Sequence, residues 1–200
     1  MKRISFIAKT VGIPGAFTLA SLFAAWSAIT LLLLGNFRFA VICSVTAFLL
    51  DTVDGFLARK LGKVSEFGKQ LDSMIDAINY SVLAALVSSQ VLMPDVWGFL
   101  VGFVILACGI LRLVLFNING FVTEENKLYY VGVVTPHLTL ATALLAFVNL
   151  VWATPEWVMA VILLTLGLAQ LSTIKTRKSG AIIFWLPMSL LIAVGSLLWF

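Results

Sequence analysis

Residues 51–76 read DTVDGFLARKLGKVSEFGKQLDSMID and place four aspartates in or beside segments that are otherwise apolar. A carboxylate in the middle of a membrane-spanning helix costs about 2.5–3.5 kcal/mol even on lenient insertion scales. Intramembrane acids are therefore rare and functional, and four of them in one short stretch indicate a binding site. The four residues are Asp51, Asp54, Asp72 and Asp76.

The composition around this stretch is that of an integral membrane protein. The chain has 200 residues, of which 62% are hydrophobic and 11% are charged, whereas soluble domains carry about 25% charged residues. A helix needs about 20 apolar residues to cross a bilayer, and several segments reach that length. Because barrel strands would alternate in polarity, we expect an all-α, polytopic helical bundle.

Seven segments are candidate membrane spans. Short loops separate them and no linker divides the chain, so we expect residues 1–200 to form a single integral membrane domain. The apolar run behind the basic opening MKRISFIAK is long for a signal peptide, and we expect it to be retained as the first span. The seven spans are 12–34, 37–60, 69–93, 96–117, 129–152, 155–173 and 180–200.

Positive charge predicts the orientation of the bundle. Of the 13 Lys and Arg residues, 12 lie at the N-terminus or on every second connection between spans. Only Arg38 lies on the other side. The positive-inside rule then puts the N-terminus and the aspartate-rich stretch at the cytoplasmic face, and the C-terminus outside. We expect an inner (cytoplasmic) membrane protein whose active site faces the cytoplasm. The net charge of +4 favours contact with anionic membrane lipid, and we expect no nucleic-acid partner.

Helical spacing predicts that the four aspartates share one seam. The second span carries two acids and two small residues at i, i+3, i+4 and i+7, and the third carries a glycine and two acids at i, i+4 and i+8. The short connection makes these two spans antiparallel neighbours, so their carboxylates should face each other. The small residues, which would let a bulky ligand approach the backbone, are Gly55, Ala58 and Gly68.

Such a cluster of negative charge requires cations. Two like charges about 4 Å apart repel by about 4 kcal/mol at an effective dielectric constant near 20. Oxygen ligands alone suit Mg²⁺, Mn²⁺ or Ca²⁺, and carboxylates that bridge two such ions can clamp a pyrophosphate. The alternative is a packing role, in which small residues bring the helices together and the aspartates pair with nearby bases. These bases are Arg59, Lys60, Lys63 and Lys69.

Read as Asp51-x2-Asp54-Gly55-x2-Ala58-Arg59-x8-Gly68-x3-Asp72-x3-Asp76, the stretch resembles the complete signature of the CDP-alcohol phosphatidyltransferases. The resemblance implies a six-helix core, here with about one additional span, that commonly forms a homodimer. It also implies an enzyme that transfers the phosphatidyl group of CDP-diacylglycerol to a small alcohol and releases CMP.

The resemblance further implies roles for the signature residues. The first three aspartates, Asp51, Asp54 and Asp72, would hold two divalent ions, Mg²⁺ or Mn²⁺, and Asp76 would contact metal or act as the general base. An acceptor hydroxyl must lose a proton as it attacks phosphorus, and we expect Asp76 to take it. The expected CDP-binding residues are Asp51, Asp54, Gly55, Ala58, Arg59 and Gly68.

Two downstream segments bear on the acceptor. Residues 111–121 (LRLVLFNINGF) and 129–140 (YYVGVVTPHLTL) are similar to segments of the phosphatidylserine synthases in this family, which makes L-serine the expected acceptor. Arg112 could pair with the serine carboxylate through its guanidinium fork, or it could be an interfacial arginine that reaches the headgroups. Further candidates for the acceptor site are Asn79, Asn117 and His137.

Other functions are kept as alternatives. Choline would need aromatic faces, for which Tyr80, Phe116, Tyr129 and Tyr130 are available, and glycerol phosphate or inositol phosphate would need several basic side chains. A transporter would place its acids near mid-membrane on discontinuous helices, whereas these lie towards one face. A membrane prenyltransferase also binds a lipid pyrophosphate through aspartates, but the chain lacks a paired DDxxD cluster.

Overall fold

The computed structural model describes residues 2–62, 65–124 and 127–177. These residues form six helices and one small sheet. The predicted seventh span, 180–200, lies outside the described residues. The helices are α1 Lys2–Leu33, α2 Phe37–Lys60, α3 Glu66–Leu92, α4 Val96–Asn119, α5 Thr135–Val151 and α6 Glu156–Ala169. The strands are β1 Val122–Glu124, β2 Lys127–Val131 and β3 Lys175–Arg177.

Four helices are long and apolar enough to cross a membrane, namely Pro14–Leu33 within α1 and the whole of α2, α3 and α4. They match the first four predicted spans, and the expectation of a polytopic helical membrane protein is confirmed. Helices α5 and α6 have 17 and 14 residues and lie within the fifth and sixth predicted spans. Both are shorter than the length of about 20 residues that a straight crossing requires.

The predicted start of the fifth span at residue 129 is wrong. The chain is extended in β2 and then turns at Gly132, whose φ is +78°. A Cβ on Gly132 would lie 2.1 Å from the carbonyl oxygen of Gln170, so this close contact admits only glycine. Helix α5 begins three residues later with Pro136 in its first turn, where a missing N–H leaves no helical bond unmade.

The sheet is an addition that the sequence analysis did not predict. Strand β2 lies in the middle and pairs antiparallel with β1 and with β3, with Val122 opposite Tyr129 and Tyr129 opposite Arg177. An ion pair between Glu124 and Lys175 also joins the outer strands. The sheet fastens the α4–α5 connection to the segment that follows α6.

The core forms where the helices pack through apolar and small side chains. Ala28 of α1, Leu83 of α3, Ile105 of α4, Leu138 of α5 and Leu163 of α6 belong to one buried cluster. Glycine also lets α3 and α4 approach closely, since a Cβ on Gly102 of α4 would lie 2.9 Å from the carbonyl oxygen of Ala85 on α3. Small residues are typical of helix interfaces in membranes, where close packing replaces the hydrophobic effect.

Helix α3 carries the second half of the signature and is not a regular α-helix. Ser65 caps its first turn by accepting a 3.0 Å hydrogen bond from the backbone N–H of Gly68. Two stretches, Ala77–Val82 and Ser88–Leu92, have the wider i→i+5 turns of a π-helix. Such turns occur frequently at functional sites, and the first begins directly after Asp76. They change which side chains point towards α2 and α4.

Candidate active site

Three of the four signature aspartates meet between α2 and α3. Carboxylate oxygens of Asp51, Asp72 and Asp76 all lie within 4.8 Å of one another. Asp72 and Asp76 are four residues apart, so a rotation of only about 40° separates them on α3. The antiparallel arrangement of α2 then brings Asp51 opposite them. The predicted shared seam is therefore present for these three residues.

Asp54 lies beside this cluster rather than within it. It is three residues from Asp51, and that spacing rotates its side chain by about 60° in the opposite sense around α2. Asp54 is only 3% exposed. It is close enough to Asp51 and to the Arg59 guanidinium for electrostatic interaction with both.

The charges of this site suit a hard divalent cation. One carboxylate oxygen on each of Asp51, Asp54 and Asp76 is buried and has no hydrogen-bond partner. Ion pairs in the described part of the chain join Lys69 to Glu66 and Lys175 to Glu124, so neither satisfies a signature aspartate. The packing alternative required such pairs. Carboxylate oxygens without nitrogen or sulfur ligands are the donors that Mg²⁺ and Mn²⁺ prefer, and the residues therefore fit such an ion.

Tyr80 orients the cluster, and the sequence analysis considered it only as an aromatic surface. Its hydroxyl donates a 2.8 Å hydrogen bond to Oδ2 of Asp51. Its backbone carbonyl accepts a 2.9 Å bond from the hydroxyl of Thr139 on α5, and its ring packs edge-on against Phe48. The sequence could have indicated this role, because Tyr80 lies four residues after Asp76 and residues i and i+4 share a helical face.

Arg112 of α4 is buried in the bundle. It is 4% exposed, and its Nε and Nη2 have no hydrogen-bond partner. The guanidinium carbon lies 5.2 Å from the ring centre of Phe116 and 5.6 Å from that of Tyr130, and the side chain interacts electrostatically with Asp76. Burial raises the pKa of the Tyr130 phenol, so this ring stays neutral. The alternative of an interfacial arginine that reaches the headgroups is wrong.

The remaining acceptor candidates lie on three different helices. Asn117 on α4 accepts a 2.9 Å hydrogen bond from the hydroxyl of Ser73, which follows Asp72 directly. His137 is half-buried at the start of α5 and within electrostatic range of Arg112. Asn79 is buried and donates a 2.7 Å bond to Ser21 of α1.

The other predicted CDP-binding residues lie on α2 and in the first turn of α3. The Arg59 guanidinium folds back along α2, and a Cβ on Gly55 would lie 3.3 Å from its Nη1. Arg59 also interacts electrostatically with Asp72 on the facing helix. Ala58 is half-buried and Gly68 is exposed. Arg59 thus supplies an exposed cation near the carboxylates, which suits an anionic ligand.

Comparison with known proteins identifies the family. The sequence profile of the CDP-alcohol phosphatidyltransferases matches residues 11–170. CDP-diacylglycerol–serine O-phosphatidyltransferase of Bacillus subtilis is 33% identical over 139 residues, which cover 68% of this chain and 75% of the relative. Archaetidylserine synthase of Methanothermobacter thermautotrophicus is 34% identical over 115 residues, or 56% of this chain and 49% of the relative.

A third relative, CDP-diacylglycerol–serine O-phosphatidyltransferase of Mycobacterium leprae, is 26% identical over 174 residues, which cover 83% of this chain and 58% of the relative. The matched profile includes the whole signature from Asp51 to Asp76 and all six described helices except the first turns of α1. The match extends over well more than half of the sequence. The chain therefore belongs to the CDP-alcohol phosphatidyltransferase family.

Proposed function

We propose that this phosphatidyltransferase uses L-serine as its acceptor and converts CDP-diacylglycerol and serine into phosphatidylserine and CMP. The observation that carries this choice is Arg112, a buried guanidinium with two unpartnered nitrogens beside Asp76. A planar guanidinium fork matches a carboxylate in a bidentate pair. Serine is also the acceptor in the names of the Bacillus subtilis and Mycobacterium leprae relatives.

The four aspartates are the proposed holders of two divalent ions, Mg²⁺ or Mn²⁺. The support is the group of three carboxylates within 4.8 Å and the buried oxygens without partners on Asp51, Asp54 and Asp76. Such ions would neutralise the donor pyrophosphate and the charge that develops on the departing CMP. Tyr80 holds one oxygen of Asp51 by its hydrogen bond and so fixes the orientation of that carboxylate.

Asp76 is the proposed general base. The hydroxyl oxygen of serine forms a bond to the phosphorus that carries diacylglycerol, and the bond from that phosphorus to the bridging pyrophosphate oxygen breaks. CMP leaves with the electron pair of the broken bond, and the hydroxyl proton passes to the carboxylate of Asp76. A base must lie within hydrogen-bond reach of the proton that it removes. Asp76 lies within 4.8 Å of the other two carboxylates of the cluster and interacts electrostatically with Arg112, the proposed partner of the serine carboxylate.

The donor nucleotide is proposed to lie beside Arg59 and the small residues of the signature. Arg59 is exposed and its guanidinium could pair with a phosphate, and Gly55 leaves room for it along α2. Ala58 and Gly68 would allow the cytidine moiety to approach the helix backbones. The acyl chains can remain in the bilayer while the nucleotide enters from the cytoplasm, which agrees with the positive-inside orientation.

We also propose a homodimer in the inner membrane.

Choline is the second candidate, and the aromatic residues argue against it. A quaternary ammonium requires open aromatic faces. The rings of Phe116 and Tyr130 already stack with Arg112, and the hydroxyl of Tyr80 is bonded to Asp51. Acceptors with a phosphate would need several cations, and Arg112 is the buried one among the described residues.

The test is an acceptor panel with the purified protein in detergent. CMP release from CDP-diacylglycerol is measured with Mg²⁺ or Mn²⁺ and with serine, choline, glycerol 3-phosphate, inositol or inositol phosphate. We expect release with serine, loss of release on addition of a chelator, and a lipid product that contains serine. Release with choline alone, or with a phosphorylated acceptor alone, would overturn the assignment of serine and leave the family membership intact.

A further inference from the structure

Three aromatic rings form a cluster where α4 ends and the sheet begins. Phe116 lies in the last turns of α4, Phe121 lies in the connection that follows, and Tyr130 lies in β2. The ring centres are 5.0 Å apart for Phe116 and Phe121, 4.9 Å for Phe121 and Tyr130, and 5.6 Å for Phe116 and Tyr130. Aromatic rings attract each other at such separations when they are tilted or edge to face. The cluster therefore holds β2 against α4.

Arg112 rests against two of these rings. It precedes Phe116 by four residues on α4, and residues with this spacing share a helical face. Its guanidinium carbon lies 5.2 Å from the ring centre of Phe116 and 5.6 Å from that of Tyr130. A ring face attracts the cation but accepts no hydrogen bond in the guanidinium plane. The rings thus hold the guanidinium while its Nε and Nη2 stay without hydrogen-bond partners.

The sheet determines where the Tyr130 ring lies. Successive side chains of a strand point to opposite faces, so Tyr130 and its neighbour Tyr129 belong to different faces of β2. Tyr130 is paired with Thr176 of β3. Two residues after Tyr130 the chain turns at Gly132, where a Cβ would lie 2.1 Å from the carbonyl oxygen of Gln170. The segment at and beyond the end of α6 therefore fixes the strand that carries this ring.

We propose that Tyr130 is a positioning residue for the acceptor, because it holds the Arg112 guanidinium in the orientation that binds the acceptor carboxylate. This inference rests on the proposed function and refines it, since it makes acceptor affinity depend on a strand residue outside the aspartate signature. A bidentate pair requires the planar fork to face the carboxylate. An arginine side chain has many rotamers, and a guanidinium that is already held in place loses less entropy when the acceptor binds.

A role in packing alone would give a different kinetic pattern. Loss of packing lowers the stability of the fold, and with it the amount of active protein. Loss of positioning weakens the binding of the acceptor and leaves the donor and the saturated rate unchanged. It also disappears when Arg112 no longer has a fork to position. The two roles are therefore separated by the serine KM and by a double substitution.

The experiment uses the full chain in detergent with CDP-diacylglycerol and compares Tyr130→Leu and Tyr130→Phe with the unchanged protein. We expect Tyr130→Leu to raise the serine KM about tenfold, as for the loss of a desolvated cation–ring contact, while kcat and the donor KM stay unchanged. Tyr130→Phe should keep the normal serine KM, because the ring that attracts the cation remains. If Tyr130→Leu does not fold, Tyr130→Met, which is unbranched and also lacks a ring, takes its place with the same expectation.

Tyr129→Leu is the matched control, because it makes the same change at the neighbouring position on the other face of β2. It should leave the serine KM unchanged. In a protein that already carries Arg112→Lys, adding Tyr130→Leu should raise the serine KM by no more than about twofold, because residues that act through one contact are not additive.

An unchanged serine KM in Tyr130→Leu would overturn the positioning role alone, and so would a fall in kcat with no change in KM. A full tenfold rise on top of Arg112→Lys would also overturn it, because Tyr130 would then act independently of Arg112. If the unchanged protein forms no lipid from serine but does so from another acceptor, the proposed function fails and the positioning role falls with it.

Discussion

The hydroxyl of Tyr80 donates a 2.8 Å hydrogen bond to Oδ2 of Asp51 and so ties α3 to α2 at the carboxylate cluster. The other oxygen of Asp51 is buried without a partner. The bond therefore determines which lone pairs of Asp51 face Asp72 and Asp76. Groups that orient a metal-ligating carboxylate typically change metal affinity or activity by about 10–100-fold.

Replacement of Tyr80 by phenylalanine removes this bond and keeps the ring that packs against Phe48. We expect the Mn²⁺ or Mg²⁺ concentration for half-maximal CMP release to rise about tenfold, because the Asp51 carboxylate loses its orientation. Tyr129→Phe is the control, since Tyr129 lies in strand β2, opposite Val122 and Arg177. An identical metal dependence in Tyr80→Phe and the unchanged protein would refute the orienting role.

The substitution Asp72→Asn keeps the shape of the side chain and removes its charge. If Asp72 holds a divalent ion with Asp51 and Asp76, Asp72→Asn should abolish transfer and leave the protein folded, because a hard dication requires charged oxygen ligands. CMP release and circular dichroism measure the two effects. Glu156→Gln removes a charge from an exposed acid at the start of α6 and should be silent. Chelator-resistant release near the normal rate in Asp72→Asn would exclude a metal-binding role.

The substitution Gly55→Leu would place a side chain in the space that the Arg59 guanidinium fills, because even a Cβ at this position would lie 3.3 Å from Nη1 of Arg59. We expect the KM for CDP-diacylglycerol to rise more than the melting temperature falls, and the serine KM to stay unchanged; Ala58→Leu should act in the same direction. Val53→Leu enlarges a lipid-exposed side chain of the same helix and serves as the control. A loss of stability with an unchanged donor KM would instead indicate that Gly55 serves helix packing.

The substitution Arg112→Lys keeps a positive charge but loses the planar fork of the guanidinium. We expect Arg112→Lys to raise the serine KM about tenfold, since a bidentate carboxylate pair becomes a single contact, while the KM for CDP-diacylglycerol changes little. Steady-state kinetics with each substrate varied in turn separates the two constants. A selective effect on the donor would assign Arg112 to the CDP-diacylglycerol site.

The sequence was sufficient for the membrane class and for the meeting of Asp51, Asp72 and Asp76, because both depend on local patterns. Apolar length predicts the spans from α1 to α4, and the spacing of four residues between Asp72 and Asp76 aligns them on one helix. The 129–152 segment shows the limit of such patterns. Its apolar composition predicted a helix throughout, but its first residues belong to strand β2. The turn at Gly132 depends on contact with Gln170, which is 38 positions away in sequence.

The deeper parts of the site depend on tertiary contacts that a linear pattern does not contain. The π-helical turns after Asp76 are an example, since Ser81 lies within them and packs against Gly109 of α4. The burial of Arg112 depends on Tyr130, which lies in strand β2 rather than in a helix as the predicted fifth span required. Asp54 lies outside the group of three carboxylates, although its i, i+3 spacing from Asp51 predicted a shared seam.

The central claim is that the serine hydroxyl attacks the phosphorus of CDP-diacylglycerol and that CMP departs. The most direct measurement supplies serine labelled with ¹⁸O in its hydroxyl and follows both products by mass spectrometry. The account predicts equal amounts of CMP and phosphatidylserine, with the label retained in the lipid and absent from CMP. Label in CMP, or CMP release without a serine-containing lipid, would contradict it.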